Sequence, residues 1–313
     1  SLEILGSENQ NLPCLLQFIS RMATRHGLVR AGVPAASQAH RVFERSLIAG
    51  LWDKELATSV GFNLRAVRLA AASVRERLSP EHWRLLEQAE SRFFKPADIR
   101  SNLSTASSST TDTAADTLAV QRLLADTSQM LAALTGAQTD RMSRDDGWRL
   151  LSIGRHIERL EFLSSALSEA VQLGLIAEQA GFDAVLDLFD STISFHAQYQ
   201  QSRTPQALMD LLVTHSDNPR SLGWVAHTLR SRLRRMGHLA DGATTPMAEQ
   251  VPQLIEMTPE SLWPLANNPA QPGNNLPLHA ALVHCQTAAR EVSDQLCGLF
   301  FTHSGEARYS VGA

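Results

Sequence analysis

The chain has 313 residues, 43 % of them hydrophobic and 19 % charged, with a formal net charge of −4. These proportions belong to a globular protein rather than a disordered one, and no apolar run approaches the roughly 18 residues that cross a bilayer. The negative balance gives no reason to expect nucleic acid as a partner.

The opening SLEILGSENQN lacks the basic start and long apolar stretch of a signal peptide. The three cysteines, Cys14, Cys285 and Cys297, are odd in number and far apart, which argues against a disulfide framework, so a cytoplasmic setting is expected. Lysine occurs only at Lys54 and Lys95, and every other Lys/Arg cation is arginine. A GC-rich coding preference accounts for that bias most simply. The planar guanidinium also suits paired carboxylates and phosphates better than an ammonium does.

In chain order, helical periodicity predicts helices near 11–27, 35–50, 53–78, 80–95, 115–137, 146–173, 179–201, 204–214, 219–239 and 277–302, with no convincing strand. Ser79-Pro80 and Asn218-Pro219 each place a capping side chain before a proline suited to a first turn. Asp145-Asp146 favour a helix start by charge. Between the fourth and fifth helices, Ser101 to Asp116 holds nine Ser or Thr in sixteen residues and reads as a flexible loop inserted in one bundle. From Asp241 to Asn275 six prolines prevent a long helix and predict an irregular arm, packed on the bundle through Leu254, Ile255, Leu262 and Trp263. The expected fold is all-α, a multi-helix bundle of about ten helices in a single domain over 1–313.

The helix from Gly147 to Leu173, GWRLLSIGRHIERLEFLSSALSEAVQL, carries the most information. Leu150, Ile153, Ile157, Leu160, Leu167 and Val171 form a bundle-facing seam, and Gly174 is a natural stop. At about 100° per residue a second apolar stripe, Leu151, Phe162, Leu173 and Trp148, runs alongside and takes in Arg155. Glu158 then lies between two apolar stripes and Glu161 borders the seam, so both carboxylates are expected in helix interfaces, where each needs a partner. Arg155 is one for Glu158 at i,i+3. A residue of another helix would serve Glu161. Gly154 would let a backbone or ligand approach closely.

Three readings follow: a buried Arg/Glu network that fixes helix register, a polar pocket for an anionic or peptide-like ligand, or a solvated face. The candidate site residues are Arg155, Glu158, Arg159, Glu161, Asn218 and Arg220. Asn218 would cap its helix. Arg220, set against the dipole in that helix's first turn, requires an acidic partner, Glu161 or Asp190. Arg230, Arg232, Arg234 and Arg235 cluster at the helix end, where they suit the dipole or an acidic partner.

GWRLLSIGRHIERLE resembles the signature of the bacterial alpha-E domain family, in which a glycine-tryptophan-arginine start leads into a "GRxxERxE" helix. SVRERLSPEHW (Ser73 to Trp83) is similar to that family's "AVRDRLS…W" segment, and LDLFDSTISFHAQY (Leu186 to Tyr199) to its "ADSLxxYRRRY" helix. LLVTHSDNPRSLGWVAHTLRSRL (Leu211 to Leu233) resembles its "DPxNPRS" segment, and SDQLCGLFFTH (Ser293 to His303) its last helix. The matches keep the family's order. An earlier copy of the motif, roughly "RVAENLYWLGRYLERAE", does not stand here. FISRMATRH (Phe18 to His26) echoes only its arginine spacing, through Arg21 and Arg25, and the family's "EN" before the "AVRDRLS" segment reads Leu69-Ala70. A C-terminal fragment of a longer protein, or else a diverged member of the family, is therefore expected.

The resemblance implies a helical accessory or substrate-binding module. Its partner, in cis or in trans, would be a circularly permuted ATP-grasp protein that forms amide bonds, and a peptide-like ligand is a further expectation. No cofactor or metal is implied, and no activity of the chain's own. The residues agree: no GxxxxGK loop, GxSxG elbow or Glu-x-x-His is present. His156-Ile157-Glu158 opens like a zinc-deaminase signature, but no Pro-Cys-x-x-Cys follows. An independent enzyme using Glu158 and Glu161 as acid–base groups, and a purely structural bundle, are the alternatives.

Overall fold

The computed structural model describes residues 13–95, 110–200, 202–239, 243–264 and 275–301. Among these it is helical throughout, with no strand. The expected loop falls on 101–109, outside the described residues, and on 110–116, which are corrected to helix. The flanking helix begins at Thr110 and runs to Arg141. Residues 241–242 and 265–274 of the expected arm also lie outside the description.

The chain divides into two compact units, 1–143 and 144–313, where the sequence reading expects one domain. The first contains α1 (Pro13–Arg25), α2 (His40–Gly50), α3 (Val60–Ala72), α4 (Pro80–Phe94) and α5 (Thr110–Arg141). Ser59 and Ser79 cap α3 and α4 by accepting from the Phe62 and His82 amides. The Ser59 cap corrects the expected start at 53. Asp53 accepts from the Glu55 and Leu56 amides, and that turn keeps the segment out of the helix. Phe43, Trp52 and Phe93 centre the core, with the Trp52 indole donating to the Phe93 carbonyl at 3.2 Å.

The second unit is organised around α6 (Asp146–Gln172). Asp145 caps it by accepting from the Trp148 amide at 3.0 Å, and Gly174 ends it in the left-handed region at φ +69°. After α6 come α7 (Gln179–Leu188), α8 (Thr192–Tyr199), α9 (Pro205–Met209), a π-helical turn over Asp210–Thr214, and α10 (Leu222–Arg235). The single helix expected over 179–201 is split at Asp190, which sits at φ +48°. The arm supplies α11 (Thr244–Gln250) and α12 (Pro259–Leu262), and α13 (Leu276–Phe300) closes the unit.

α6 packs on both α13 and α10, and α11 packs on α10. Leu254, Leu262 and Trp263 of the arm are buried as expected. Its anchor is Arg230, only 4 % exposed, which donates to the carbonyls of Ala248 and Val251 at 2.9 and 2.5 Å and pairs with Glu249 at 3.0 Å. One arginine thus satisfies the open end of α11. Among the described residues no helix is long and apolar enough to cross a membrane.

Candidate functional site

Contact with two neighbouring helices sets how α6 is turned. Ile153, His156, Ile157, Leu160, Leu163 and Leu167 are buried, and so are Ser152, Ser164, Ser165 and Ser168. The serines tolerate burial because their hydroxyls return to the helix: Ser164 donates to the Leu160 carbonyl at 2.6 Å and Ser165 to that of Phe162 at 3.0 Å. The buried arc is therefore wider, and turned further, than its leucines and isoleucines alone suggest.

Of the second apolar stripe, Trp148 is buried as expected and the rest is corrected. Leu151 and Phe162 are 40 % and 38 % exposed, and Gly154 and Glu158 between them face solvent. Glu158 is exposed, and the expected ion pair between it and Arg155 is not formed. Glu161 is half-buried, on the α13 side, with its Oε1 3.9 Å from the Arg290 guanidinium. The two glutamates do not share a site.

The arginines do come together. Arg155 and Arg159 are half-buried one turn apart on α6, and Arg220 stands beside Arg159. A hydrogen-bonded loop between the π-helical turn and α10 places Arg220. His215 Nδ1 accepts from the amides of Asp217 and Asn218 at 3.2 and 3.1 Å. Asn218 Nδ2 donates to the Leu211 carbonyl and its Oδ1 accepts from the Arg220 amide, both at 3.0 Å. Ser221 donates to the His215 carbonyl at 2.5 Å and accepts from the Trp224 amide at 3.0 Å.

Ser221, not Asn218, is therefore the cap of α10. Asn218 holds the turn before it through its bonds to the Leu211 carbonyl and the Arg220 amide, and the helix begins only at Leu222. The loop offers the Pro219 carbonyl to Arg159 at 2.9 Å and the Arg220 guanidinium to Asp190 at 2.5 Å. Burial lowers the guanidinium pKa of both Arg155 and Arg159 from its ordinary value, and for Arg159 the charges of Arg220 and Arg155 add to the effect.

Sequence reading did not count two residues beside this group among the candidate site residues. His156 is 6 % exposed, its ring 5.6 Å from that of Trp224. Burial pushes its pKa down to about 4, and the charges of Arg159, Arg155 and Arg232 push the same way against a raising hydrogen bond to Ser152. Its Nδ1–H donates to the Ser152 carbonyl at 2.6 Å, so the neutral ring keeps a lone pair on Nε2, which is buried without a partner. Arg232 of α10 is the second. Its guanidinium lies 4.7 Å from the Trp148 ring, which Arg144 also covers at 4.4 Å, and its Nε is likewise buried without a partner. The signal for His156 was its place on the buried side of α6. Arg232 is hidden among the arginines that close α10.

A helical domain whose central helix carries a Glu-Arg pair beside converging arginines is the class that fold and site define. The chain belongs to the Alpha-E family, described as a predicted alpha-helical domain with a conserved ER motif, whose model matches residues 4–301. Glu158-Arg159 is one such pair here, and Glu44-Arg45 and Glu76-Arg77 are others. The chain is similar to an uncharacterized protein of Mycobacterium tuberculosis and one of Mycobacterium bovis, each 24 % identical over 303 residues, covering 92 % of this chain and 32 % of the relative. It spans about a third of the length of these curated relatives. No solved structure matches it.

Proposed function

We propose that the chain is a helical accessory or substrate-binding module that works, in cis or in trans, with an ATP-grasp amide ligase. The observation that carries this reading is the convergence of Arg155 and Arg159 of α6 with Arg220 of the loop before α10. Guanidiniums held side by side at the cost of mutual repulsion are suited to carboxylate or phosphate groups, the currency of amide-bond formation. The length of the relatives beyond the matched region leaves room for a second domain in the same chain.

The test is co-purification of the tagged chain with the ATP-grasp protein encoded in the same reading frame or beside it. A stable complex, weakened by Arg155→Gln combined with Arg159→Gln, is the expected result. Neither contact nor fusion would end the proposal. An acid–base enzyme built on Glu158 and Glu161 has less support, because one faces solvent and the other lies toward α13.

A further inference from the structure

We propose that Arg144, Arg149, Arg232 and Arg235, gathered around Trp148 at the start of α6, form a docking surface for an acidic helical segment of a partner protein. This goes beyond the ligase reading, which is carried by Arg155, Arg159 and Arg220, and it stands without that reading.

The first observation is how the arginines that close α10 divide. Arg230 and Arg234 both pair with Glu249, at 3.0 and 2.8 Å. Arg232 instead reaches the first turn of α6, where its guanidinium lies over the Trp148 ring at 4.7 Å. Arg144 lies over the same ring at 4.4 Å. Arg149, the next residue of α6, is held by Asp146 at 2.6 Å, and His238 meets the other oxygen of that carboxylate at 3.1 Å. Arg235 is exposed and follows Arg232 at i,i+3 on α10.

The second observation is the charge this leaves. Asp146 is shared by Arg149 and His238, and Asp145 caps α6. Among the described residues neither Arg232 nor Arg235 has a carboxylate partner, and the Nε of Arg232 is buried without an acceptor. Burial lowers the guanidinium pKa of Arg232, and the charges of Arg235, Arg144 and Arg149 add to the effect. The helix dipole does not account for this crowding. Arg232 carries the negative end of α10 onto the positive end of α6, so the two dipoles oppose each other there.

The third observation is readiness for a partner. A guanidinium lying over an indole is held in place, while its in-plane N–H groups stay open to a carboxylate. Arg232 and Arg235, at i,i+3, set their Cβ atoms about 5–6 Å apart, the spacing at which another helix presents two carboxylates at i,i+3 or i,i+4. Asp146 and Glu249, bonded to the neighbouring Arg149 and Arg234, decide the class of partner. They repel a continuous phosphate backbone, whereas a helical segment can set basic or uncharged residues against them.

Fluorescence anisotropy on the full chain at low salt tests this with a labelled alanine-rich helix of about 20 residues carrying glutamates at i,i+4. A glutamine analogue and a thymidine oligonucleotide of equal charge are the comparisons. Saturable binding of the glutamate peptide is expected, with the glutamine analogue about ten-fold weaker or more, the usual effect of losing a charged hydrogen bond. Arg232→Gln and Arg235→Glu should each weaken the glutamate peptide about ten-fold. Arg84→Gln, at an exposed arginine of α4, should leave binding unchanged. If Arg232→Gln does not fold, Arg235→Glu decides, because among the described residues the Arg235 side chain pairs with none.

No binding of the glutamate peptide, equal binding of its glutamine analogue, or an Arg235→Glu variant that binds as the parent does would overturn the proposal. Tighter binding of the oligonucleotide would make the surface one for nucleic acid and overturn it too. An equal loss in Arg84→Gln would do the same, since it would show attraction to the chain at large.

Discussion

His156 shows how much one side chain can impose on its surroundings. Its imidazole is buried against Trp224, and three arginines lie within electrostatic reach. In the unfolded chain it titrates near 6.5, and in the folded chain near 4. Between those values the unfolded state binds a proton that the native state refuses, so stability falls as pH falls through the window. The contribution is complete above pH 6.5, declines by up to about 1.4 kcal/mol per pH unit, and is exhausted once the native ring also protonates. Urea denaturation at pH 7 and pH 4.5 should show this slope, and His156→Phe should be flatter across the same window. A parent and variant with equal pH dependence would contradict the assignment.

Asn218 makes a second case at this scale. It is buried and serves two backbone groups, the Leu211 carbonyl and the Arg220 amide. Asn218→Ala should cost about 1–3 kcal/mol, the penalty of leaving such groups unsatisfied. Ser221→Ala should cost about 1 kcal/mol through the lost N-cap, with its bond to the His215 carbonyl adding to that. If the order of the two were reversed in thermal melts, the two bonds of Asn218 would not be what holds this turn.

At the scale of elements, α10 explains both what sequence made legible and what it concealed. Helix starts were readable at Ser79 and Asp145, each standing before a first turn, because capping is local chemistry, whereas the equally local caps Ser59 and Ser221 were passed over. Asn218-Pro219 carried the same signature and misled, since two further residues, Arg220 and Ser221, precede the helix. The partner of Arg220 was open to inference from charge alone, and Asp190 fills that role.

The turn of α6 about its axis was not legible. It depends on which helices pack there, and serines, alanines and a histidine share the buried arc with leucines. Within α10 the four closing arginines also divide in a way that no local rule gives. Arg230 is buried under α11, whereas Arg234 reaches the same Glu249 from an exposed position. Arg230→Met should cost about 3–5 kcal/mol and free the arm to proteolysis, because it strips the Ala248 and Val251 carbonyls of their donor. Arg234→Met, at a surface pair, should cost less than about 1 kcal/mol. Equal losses would mean that the dipole, and not the buried contact, is what these arginines serve.

At the scale of the whole molecule, the family match runs through both compact units, yet the candidate site draws on 144–313 alone. That unit has its own core. Leu160 and Leu167 of α6, Leu229 and Leu233 of α10, and Leu282 and Val292 of α13 are almost completely buried, on three helices that are joined through α6. A core of that kind removes enough apolar surface to hold a domain of this size without help. Residues 144–313 expressed alone should therefore melt cooperatively and keep the helical circular-dichroism signal of α6 to α13. A fragment that does not melt cooperatively would show that the core of 144–313 cannot stand on its own, and the two units would then have to be treated as one folding domain.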